Sequence, residues 1–292
     1  MPDLSRLLRD ARARLSGAGV PSPAADAAAL AAHVLRTTPG DVTAGAARGD
    51  GMGDEQAAAF EELLAQRAAR VPLQHLTGRA AFRTVELQVG PGVFVPRPET
   101  EVVAGVAIDE ASEAARRQAA PLVVDLCTGS GAVALAVAVE VPTARVAAVE
   151  VDPMAHAWAA RNVAAIAPRV DLRLGDAVHA ETGVLADLAG VVDVVVANPP
   201  YIPPGSRPVD PEVADHDPPL ALYGGGDDGL AVPRGVVASA AGLLRPGGLL
   251  VMEHADGQGP GARALVGGSG WRDVRTVDDL TGRPRVLVAR RQ

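Results

Sequence analysis

From residue 122 onward, short apolar runs alternate with segments of helical periodicity, and this alternation constrains the fold more than any other feature. Seven runs are predicted strands, at 122–126, 144–151, 170–174, 192–197, 247–253 and around 271–277 and 285–289. Helices are predicted between them, at 132–140, 154–165 and about 230–244. Such alternation is typical of an α/β fold with a mainly parallel sheet covered by helices on both faces. Ligands of these folds bind at the carboxyl ends of the strands.

The first part of the chain has a different pattern. Leucine and alanine stripes predict helices, and breaks containing Gly and Pro fall at 37–53 and near residue 72. Alternating apolar residues at 85–89, a Gly-Pro-Gly turn at 90–92 and the following Val-Phe-Val predict a β-hairpin. We therefore predict a helical domain at 1–78, a β-hairpin linker at 79–101 and an α/β domain at 102–292. Because the helical domain is nearly neutral and bears arginines, we expect it to be the substrate-recognition domain.

Composition excludes several classes of protein. The net charge is −8, so a nucleic acid is not expected as a direct substrate. All 27 basic residues are arginines, which excludes a Schiff-base lysine and a P-loop lysine. No run approaches the roughly 18 apolar residues of a membrane span, and the N-terminus lacks the apolar core of a signal peptide. We therefore expect a cytoplasmic protein without a membrane partner.

The segment DLCTGSGAVAL, which begins at Asp125, is predicted to be a strand, a Gly-rich turn and a helix. Gly129 and Gly131 allow a ligand to approach the backbone, but the third glycine of a dinucleotide-binding turn is absent. Glu150 ends the next strand, where a carboxylate can accept hydrogen bonds from both ribose hydroxyls. Asp176 follows the third strand, in reach of an adenine edge. The pattern favours a nucleoside with a small charged tail, such as S-adenosylmethionine.

The stretch VDVVVANPPYIPP, residues 192–204, raises a second question of function. Proline lacks a backbone donor, so the strand must stop at Asn198, and the loop that follows is stiff. A stiff loop that begins with a side-chain amide and ends in the ring of Tyr201 can hold a small planar group. On these residues alone, a Pro-rich turn without a site explains the pattern equally well.

With DLCTGSG, VEVD, LGD and NPPY in this order, the chain resembles the class I S-adenosylmethionine-dependent methyltransferases. The flanking segments narrow the resemblance: PLQHLTGRAAF (72–82), GVFVPRPETE (92–101), DPPLALYGGGDDGL (217–230), LLVMEHADGQG (249–259) and DLTGRPRVLVAR (279–290). They are similar to the HemK/PrmC-like protein N5-glutamine methyltransferases of peptide chain release factors. The resemblance implies a Rossmann-like methyltransferase domain with a seven-stranded sheet, joined through a β-hairpin to a small N-terminal helical bundle.

The resemblance also implies two sets of site residues. Those implied to bind the cofactor S-adenosylmethionine are Cys127, Thr128, Gly129, Ser130, Gly131, Glu150, Asp176, Ala177 and Asn198. Those implied to bind the substrate glutamine are Asn198, Pro199, Pro200 and Tyr201, with Phe94 and Arg97 beside them. Cys127 and Ser130 replace the commoner Gly and Thr, and Ala177 replaces an aromatic residue of some members. The histidines His75, His216 and His254 lack the spacing of metal ligands, so no metal is expected.

A catalytic hypothesis follows for Asn198, Pro199 and Tyr201. The Asn198 side-chain oxygen and the Pro199 carbonyl can each accept a hydrogen bond from the substrate amide, which turns its nitrogen toward the methyl group. Tyr201 would pack on the amide plane, and Phe94 would cover the glutamine methylenes or serve as a core residue of the hairpin. Arg97, Glu99 and Glu101 are expected to brace this loop.

The function implied by the resemblance is methylation of the glutamine in the GGQ motif of class 1 release factors, which tunes translation termination. Two other enzymatic functions stay open: methylation of a ribosomal-protein glutamine and, with less support, methylation of adenine N6 in DNA. A non-catalytic nucleoside-binding protein would keep DLCTGSG and Glu150 but would have no need of NPPY.

Overall fold

Helices and strands alternate along most of the chain, and the computed structural model describes residues 1–117, 120–268 and 270–292. The α-helices are α1 Leu4–Gly17, α2 Pro23–Leu35, α3 Pro39–Arg48, α4 Asp54–Ala68, α5 Leu73–Thr77, α6 Thr100–Arg117, α7 Ala132–Glu140, α8 Pro153–Ile166, α9 Pro211–His216, α10 Pro219–Leu222, α11 Ala231–Leu243 and α12 Gly259–Leu265. The strands are β1 Arg79–Phe82, β2 Val85–Gln88, β3 Leu122–Leu126, β4 Arg145–Glu150, β5 Asp171–Leu174, β6 Val192–Ala197, β7 Leu244–Glu253, β8 Trp271–Asp278 and β9 Pro284–Arg291. Short 3₁₀ turns lie at Ala177–His179, Ala186–Leu188 and Asp256–Gln258.

The helical unit comprises Met1–Arg79 and the later segment Pro208–His216. Its core is apolar and includes Leu15, Leu30 and Phe60, which confirms the predicted helical character of the N-terminal region. The expected break at 37–53 is wrong, because α3 lies within it. Pro39 stands at the first turn of α3, where its missing N–H costs nothing, and Thr38 and Asp41 form a capping box there.

The segment Pro208–His216 joins the helical unit through Glu212. The buried Glu212 carboxylate accepts hydrogen bonds from Arg67 Nη1 at 2.7 Å and from Arg70 Nη2 at 2.5 Å. Burial alone would raise the pKa of Glu212, but its hydrogen bonds with Arg70, Asp210 and Arg67 lower the pKa to about 2. Arg67 Nε also donates to the buried Asp26 at 2.7 Å. The predicted domain boundaries assign this segment to the α/β domain, whereas here it groups with the helical unit. The boundaries themselves stay a prediction.

The sheet unit comprises Ala80–Arg207 and Asp217–Gln292. Its seven strands lie in the order β5-β4-β3-β6-β7-β9-β8, and β9 runs antiparallel to the other six. This arrangement confirms the predicted α/β architecture with a mainly parallel sheet. One face is covered by α6, α7 and the β1–β2 hairpin, and the other by α11 and α12. Every residue of β3 and β6 is buried, which explains why all but one residue of each strand is apolar.

The hairpin pairs different residues from those predicted. β1 pairs with β2 around a turn at Arg83, whose φ is 48°, whereas residues 93–95 form no strand. The Gly-Pro-Gly segment instead packs against α8. Trp158 Nε1 donates to the Pro91 carbonyl at 3.2 Å, and a Cβ at Gly90 would lie 2.6 Å from the Trp158 ring. Close approach to an aromatic ring, rather than a hairpin turn, therefore accounts for this glycine.

No helix among the described residues combines the length and the apolar character that crossing a membrane requires.

Candidate active site

Three strand ends lie side by side at one edge of the sheet. Leu126, the last residue of β3, pairs with Val149 of β4 on one side and with Ala197 of β6 on the other. Because β3 lies between strands that the chain reaches in opposite directions, this edge is the topological switch point of the sheet. The Gly-rich turn, Glu150 and Asn198 follow these strands directly. The sheet thus brings together the cofactor residues and the acceptor residues that the sequence predicts.

The Gly-rich turn is organised by the buried carboxylate of Asp125. It accepts hydrogen bonds from Thr128 Oγ1 at 2.6 Å and from the backbone N–H of Ala134 at 3.0 Å. Burial raises its pKa to about 7, against the lowering effect of these two bonds. Gly129 and Gly131 adopt left-handed conformations, with φ of 58° and 87°. Asp125 was absent from the predicted site residues, although a single acid inside an apolar strand was a signal of such a role.

Glu150 is bound to the same turn. Its Oε2 accepts the N–H of Gly129 at 2.7 Å, and its Oε1 accepts those of Val151 and Asp152, each at 2.9 Å. Burial raises the pKa of Glu150, and the three backbone bonds oppose that rise. A carboxylate oxygen can accept about two hydrogen bonds, so Oε2 keeps capacity for a hydroxyl donor. This arrangement fits the predicted ribose contact.

The remaining predicted cofactor residues surround the same strand ends. Asp176 is exposed and accepts the N–H of Val178 at 2.8 Å, while Ala177 behind it is buried. The buried Ser130 is fixed through its carbonyl, which accepts a hydrogen bond from Asn162 at 2.9 Å. Cys127 has a left-handed φ of 65° and packs against the apolar core. Burial raises the pKa of its thiol, which keeps the thiol protonated and unsuited to nucleophilic attack.

Asn198 and Tyr201 are tied to one buried carboxylate. Asn198 Nδ2 donates to Thr100 Oγ1 at 3.1 Å, and Thr100 Oγ1 donates to Glu253 Oε2 at 2.7 Å. The Tyr201 hydroxyl donates to the other oxygen, Glu253 Oε1, at 3.2 Å. We call these four residues the acceptor network. No role was assigned to Thr100 or Glu253 from the sequence.

Charge and burial shift the titration of this network. Burial raises the pKa of Glu253 to about 7, although bonds from Thr100 and Tyr201 favour its ionised form. The pKa of Tyr201 is also raised, first by burial and then by the charge of Glu253. Tyr201 is therefore a hydrogen-bond donor throughout the neutral pH range.

The NPPY loop is held in place by Gln258 and by the Gly-rich segment LYGGGDDGL. Gln258 Nε2 donates to the Tyr201 carbonyl at 2.8 Å and to the Asp228 carbonyl at 3.0 Å. Gly229 has φ 74°, and a Cβ there would lie 2.3 Å from the Tyr201 carbonyl oxygen. A Cβ at Gly224 would lie 1.9 Å from the Gly229 carbonyl oxygen. These contacts explain the glycines of LYGGGDDGL, because only a residue without a Cβ lets this segment lie so close to the loop.

The PRPETE segment makes bracing contacts at several positions. Arg97 Nη2 donates to Asp217 Oδ2 at 2.6 Å, and its guanidinium lies 5.1 Å from the centre of the half-buried Phe94 ring. Glu99 lies 3.7 Å from the Arg283 guanidinium, and Glu101 accepts the backbone N–H of Arg83 at 3.0 Å. These contacts hold the segment to other parts of the sheet unit, and its bracing of the NPPY loop stays a prediction. Whether Phe94 and Arg97 also contact a substrate stays a prediction.

The histidines of the chain do not form a metal centre within the described ranges, where no group of three or more His, Cys, Asp or Glu side chains is arranged to hold an ion. His254 is fully buried beside the acceptor network, and its Nδ1 lies 2.7 Å from the Ala255 carbonyl. Burial lowers its pKa, so the ring stays neutral at physiological pH. A packing role fits this environment.

Family models match two parts of the chain: a PrmC N-terminal domain over residues 6–78 and a methyltransferase small domain over residues 101–208. Among curated proteins, a release factor glutamine methyltransferase of Streptomyces coelicolor is 51% identical over 95% of this chain and 94% of its own length. One of Mycolicibacterium smegmatis is 46% identical over 100% of this chain and 99% of its own. One of Bifidobacterium longum is 42% identical over 98% and 99%.

Solved structures that match part of this chain include methyltransferases. A 16S rRNA methyltransferase of T. thermophilus in complex with AdoMet and guanosine has a TM-score of 0.49 and 22% identity, over 73% of this chain and 50% of that chain. A ribosomal protein methylase of Lactobacillus delbrueckii has a TM-score of 0.46 and 19% identity, over 70% of this chain and 84% of that chain.

Proposed function

Because the chain belongs to the family of release factor glutamine methyltransferases, we propose that it methylates the side-chain amide nitrogen, N5, of the glutamine in the GGQ motif of a class 1 release factor. The methyl donor is S-adenosylmethionine, and the expected compartment is the cytoplasm. One observation carries the assignment to these residues: the pairing of Leu126 with Val149 and Ala197 sets the Gly-rich turn, Glu150 and Asn198 at adjacent strand ends.

The Gly-rich turn and Glu150 fit the donor. When bound, S-adenosylmethionine supplies a methyl group made electrophilic by its sulfonium. The turn from Cys127 to Gly131 would line the cofactor. Gly129 and Gly131 have left-handed φ values that residues with a Cβ rarely adopt, and nothing lies within 4 Å of a Cβ built at Gly129, so its lack of a side chain leaves the backbone open to a ligand. Glu150 Oε2, which accepts one backbone N–H, would accept from the ribose. Asp176 and Ala177 would lie beside the adenine.

The acceptor is a weak nucleophile, because the amide lone pair is delocalised into the carbonyl. Asn198 Oδ1 and the Pro199 carbonyl would accept one N–H each from the glutamine, which orients the nitrogen and stabilises the positive charge that develops on it. The ring of Tyr201 would pack on the amide plane, with Pro200 and Phe94 enclosing the side chain. The proton leaves the nitrogen after the methyl group has been transferred.

Labelled S-adenosylmethionine tests the substrate directly. The purified chain would be incubated with an intact release factor, with the same factor carrying Ala in place of the GGQ glutamine, with ribosomal subunits and with DNA. We expect label only in the unaltered factor. Label in a ribosomal protein or in DNA instead would overturn the proposal and favour the corresponding alternative. Label in the Ala variant would overturn it by showing methylation at another position of the factor.

We also propose that the helical unit recognises the folded release factor. Arg9 and Arg12 of α1 are exposed on its surface and available to a partner, whereas the apolar side chains of the unit pack in its core. Deletion of the N-terminal helices is a poor test, because it removes Arg67 and Arg70 and leaves the Glu212 carboxylate without their bonds. Substitutions in the full chain avoid this problem.

The double substitution Arg9→Glu with Arg12→Glu is expected to raise KM for the intact factor several-fold, roughly the loss of one or two rim contacts. KM for a short GGQ peptide should stay unchanged, since the peptide lacks the rest of the factor. An equal rise for both substrates would contradict a role of this surface in recognising the folded partner.

A further inference from the structure

The acceptor network contains two residues that the proposed reaction does not yet use. Thr100 and Glu253 are 5% and 3% exposed, and they belong to α6 and β7, on either side of the NPPY loop in sequence. We propose that they are positioning residues, which fix the Asn198 amide with its oxygen, rather than its nitrogen, toward the methyl acceptor. This inference rests on the proposed function, because it assigns a direction to the hydrogen bond that Asn198 makes to the glutamine.

The direction matters because an asparagine amide has two distinct ends. Oδ1 only accepts hydrogen bonds and Nδ2 only donates them, and a half-turn of the amide exchanges the two. The glutamine amide nitrogen carries two N–H donors. If Nδ2 of Asn198 faced it, donors would oppose donors and the acceptor would be held in no fixed orientation. Some contact must therefore select one of the two orientations.

The hydroxyl of Thr100 makes this selection. It carries a single hydrogen, which it donates to Glu253 Oε2 at 2.7 Å. Toward Asn198 it can then present only a lone pair, and it accepts Nδ2 at 3.1 Å. The reversed amide would set Oδ1 against that lone pair, two acceptors in contact. The chain of bonds from carboxylate to hydroxyl to amide thus has one polarity, and it leaves Oδ1 for the substrate.

Glu253 extends the same control to Tyr201. Its Oε1 accepts the Tyr201 hydroxyl at 3.2 Å, so one carboxylate sets the positions of both polar residues of the NPPY motif. The groups that act on Glu253 are Thr100, Tyr201, Arg285 from β9 and Glu99 from the PRPETE segment. Thr100 and Glu253 act through Asn198 and Tyr201, which is why we call them positioning residues and not catalytic ones.

The polarity depends on the ionised form of Glu253. A protonated carboxyl can donate to Thr100, whose hydrogen is then free to bond Asn198 Oδ1, and the selected orientation is lost. Burial raises the pKa of Glu253 to about 7, so the ionised form is lost as the pH falls through neutrality. We therefore expect kcat to decrease below about pH 7, and we expect this acidic limb to be absent from Glu253→Gln, whose side chain does not titrate.

The decisive variants are Thr100→Val, which keeps the shape and removes the hydroxyl, and Thr100→Ser, which keeps the hydroxyl. Thr276→Val on the edge strand β8 is the matched control, since its hydroxyl accepts from Arg263 and lies three strands away from β6. We expect Thr100→Val to lower kcat on the release factor by about tenfold, the effect of one lost orienting bond. Cofactor affinity should stay within about twofold, and Thr100→Ser and Thr276→Val should act nearly as the unaltered enzyme does.

A second measurement needs no substrate. In ¹⁵N-labelled full-length protein, the Asn198 side-chain NH₂ signal, identified by its loss in Asn198→Asp, should shift in Thr100→Val and stay in place in Thr100→Ser and Thr276→Val. An unmoved signal in Thr100→Val would overturn the inference, as would equal losses of kcat in Thr100→Val and Thr100→Ser. An unaltered enzyme that puts no label on the release factor would refute the proposed function instead, and the NH₂ signal would still decide the role of Thr100.

Discussion

The two ends of the candidate site are built in different ways. At the cofactor end, Asp125 bonds Thr128 and Ala134, three and nine residues away. Glu150 bonds the two residues that follow it and Gly129, 21 residues before it, and the longest bond to the turn, from Asn162 to the Ser130 carbonyl, spans 32 residues. At the acceptor end, Asn198 is held by Thr100, 98 residues away, and Tyr201 by Glu253, 52 residues away. The first end is therefore shaped mainly by contacts between residues close in sequence, and the second by contacts between residues far apart in the sheet unit. Substitutions at the acceptor end should therefore change mainly kcat, and substitutions at the cofactor end mainly the affinity for S-adenosylmethionine.

The largest effect is expected at the acceptor end, from Asn198→Ala. Loss of the oxygen that accepts from the glutamine should lower kcat by about 10²-fold or more, because such orienting contacts act mainly in the transition state. Cofactor affinity, measured by calorimetry, should be nearly unchanged. A wild-type turnover number in this variant would contradict the amide-clamp mechanism.

Gly229→Ala tests the acceptor end through its supporting segment. A Cβ at Gly229 would lie 2.3 Å from the Tyr201 carbonyl oxygen, so the NPPY loop must shift to admit it. We expect kcat to fall by roughly ten- to fiftyfold, with a lower Tm, since small displacements of a positioned loop are costly. Cofactor affinity should change by less than about threefold.

Gly205→Ala is the matched control for Gly229→Ala. Gly205 has a similar left-handed φ of 83°, but nothing lies within 4 Å of a Cβ built there. Its substitution carries the backbone strain alone, about 1 kcal/mol, without the clash. If the two variants lost activity equally, backbone strain would explain the loss, and contact with the loop would not.

The difference between the two ends also decides what the sequence could predict. The strands of the sheet could be predicted because buried parallel strands are largely apolar in sequence. The Gly-rich turn could be predicted because most of its bonds join residues close in sequence. Thr100 and Glu253 are 153 residues apart, and no local pattern encodes their contact. The predicted hairpin was wrong for a related reason. Gly-Pro-Gly has the sequence of a turn, but Gly90 is needed because the ring of Trp158, on a helix distant in sequence, packs against it.

The cofactor end is tested by Glu150→Gln. The carboxylate accepts three backbone N–H groups, and a glutamine offers one oxygen in place of two, so the bond to Gly129 or those to Val151 and Asp152 must weaken. We expect the Kd for S-adenosylmethionine to rise by about tenfold, with kcat at saturating cofactor within about threefold. The exposed Glu113→Gln on α6 serves as the control. A fall of kcat at unchanged Kd would contradict the idea that the cofactor end controls affinity and the acceptor end controls the rate.

The smallest effect is expected from Cys127→Gly, also at the cofactor end. Cys127 holds a left-handed φ of 65°, which costs a residue with a Cβ about 1–2 kcal/mol relative to glycine. Glycine relieves this strain but loses the packing of the thiol against the core and gains chain entropy on unfolding, so the net change in the free energy of unfolding should be within about 1 kcal/mol. Thermal unfolding and cofactor titration measure both quantities. Nearly unchanged cofactor affinity would mean that Cys127 contributes only backbone to this end of the site, whereas a loss of tenfold or more would mean that the side chain itself contacts the ligand.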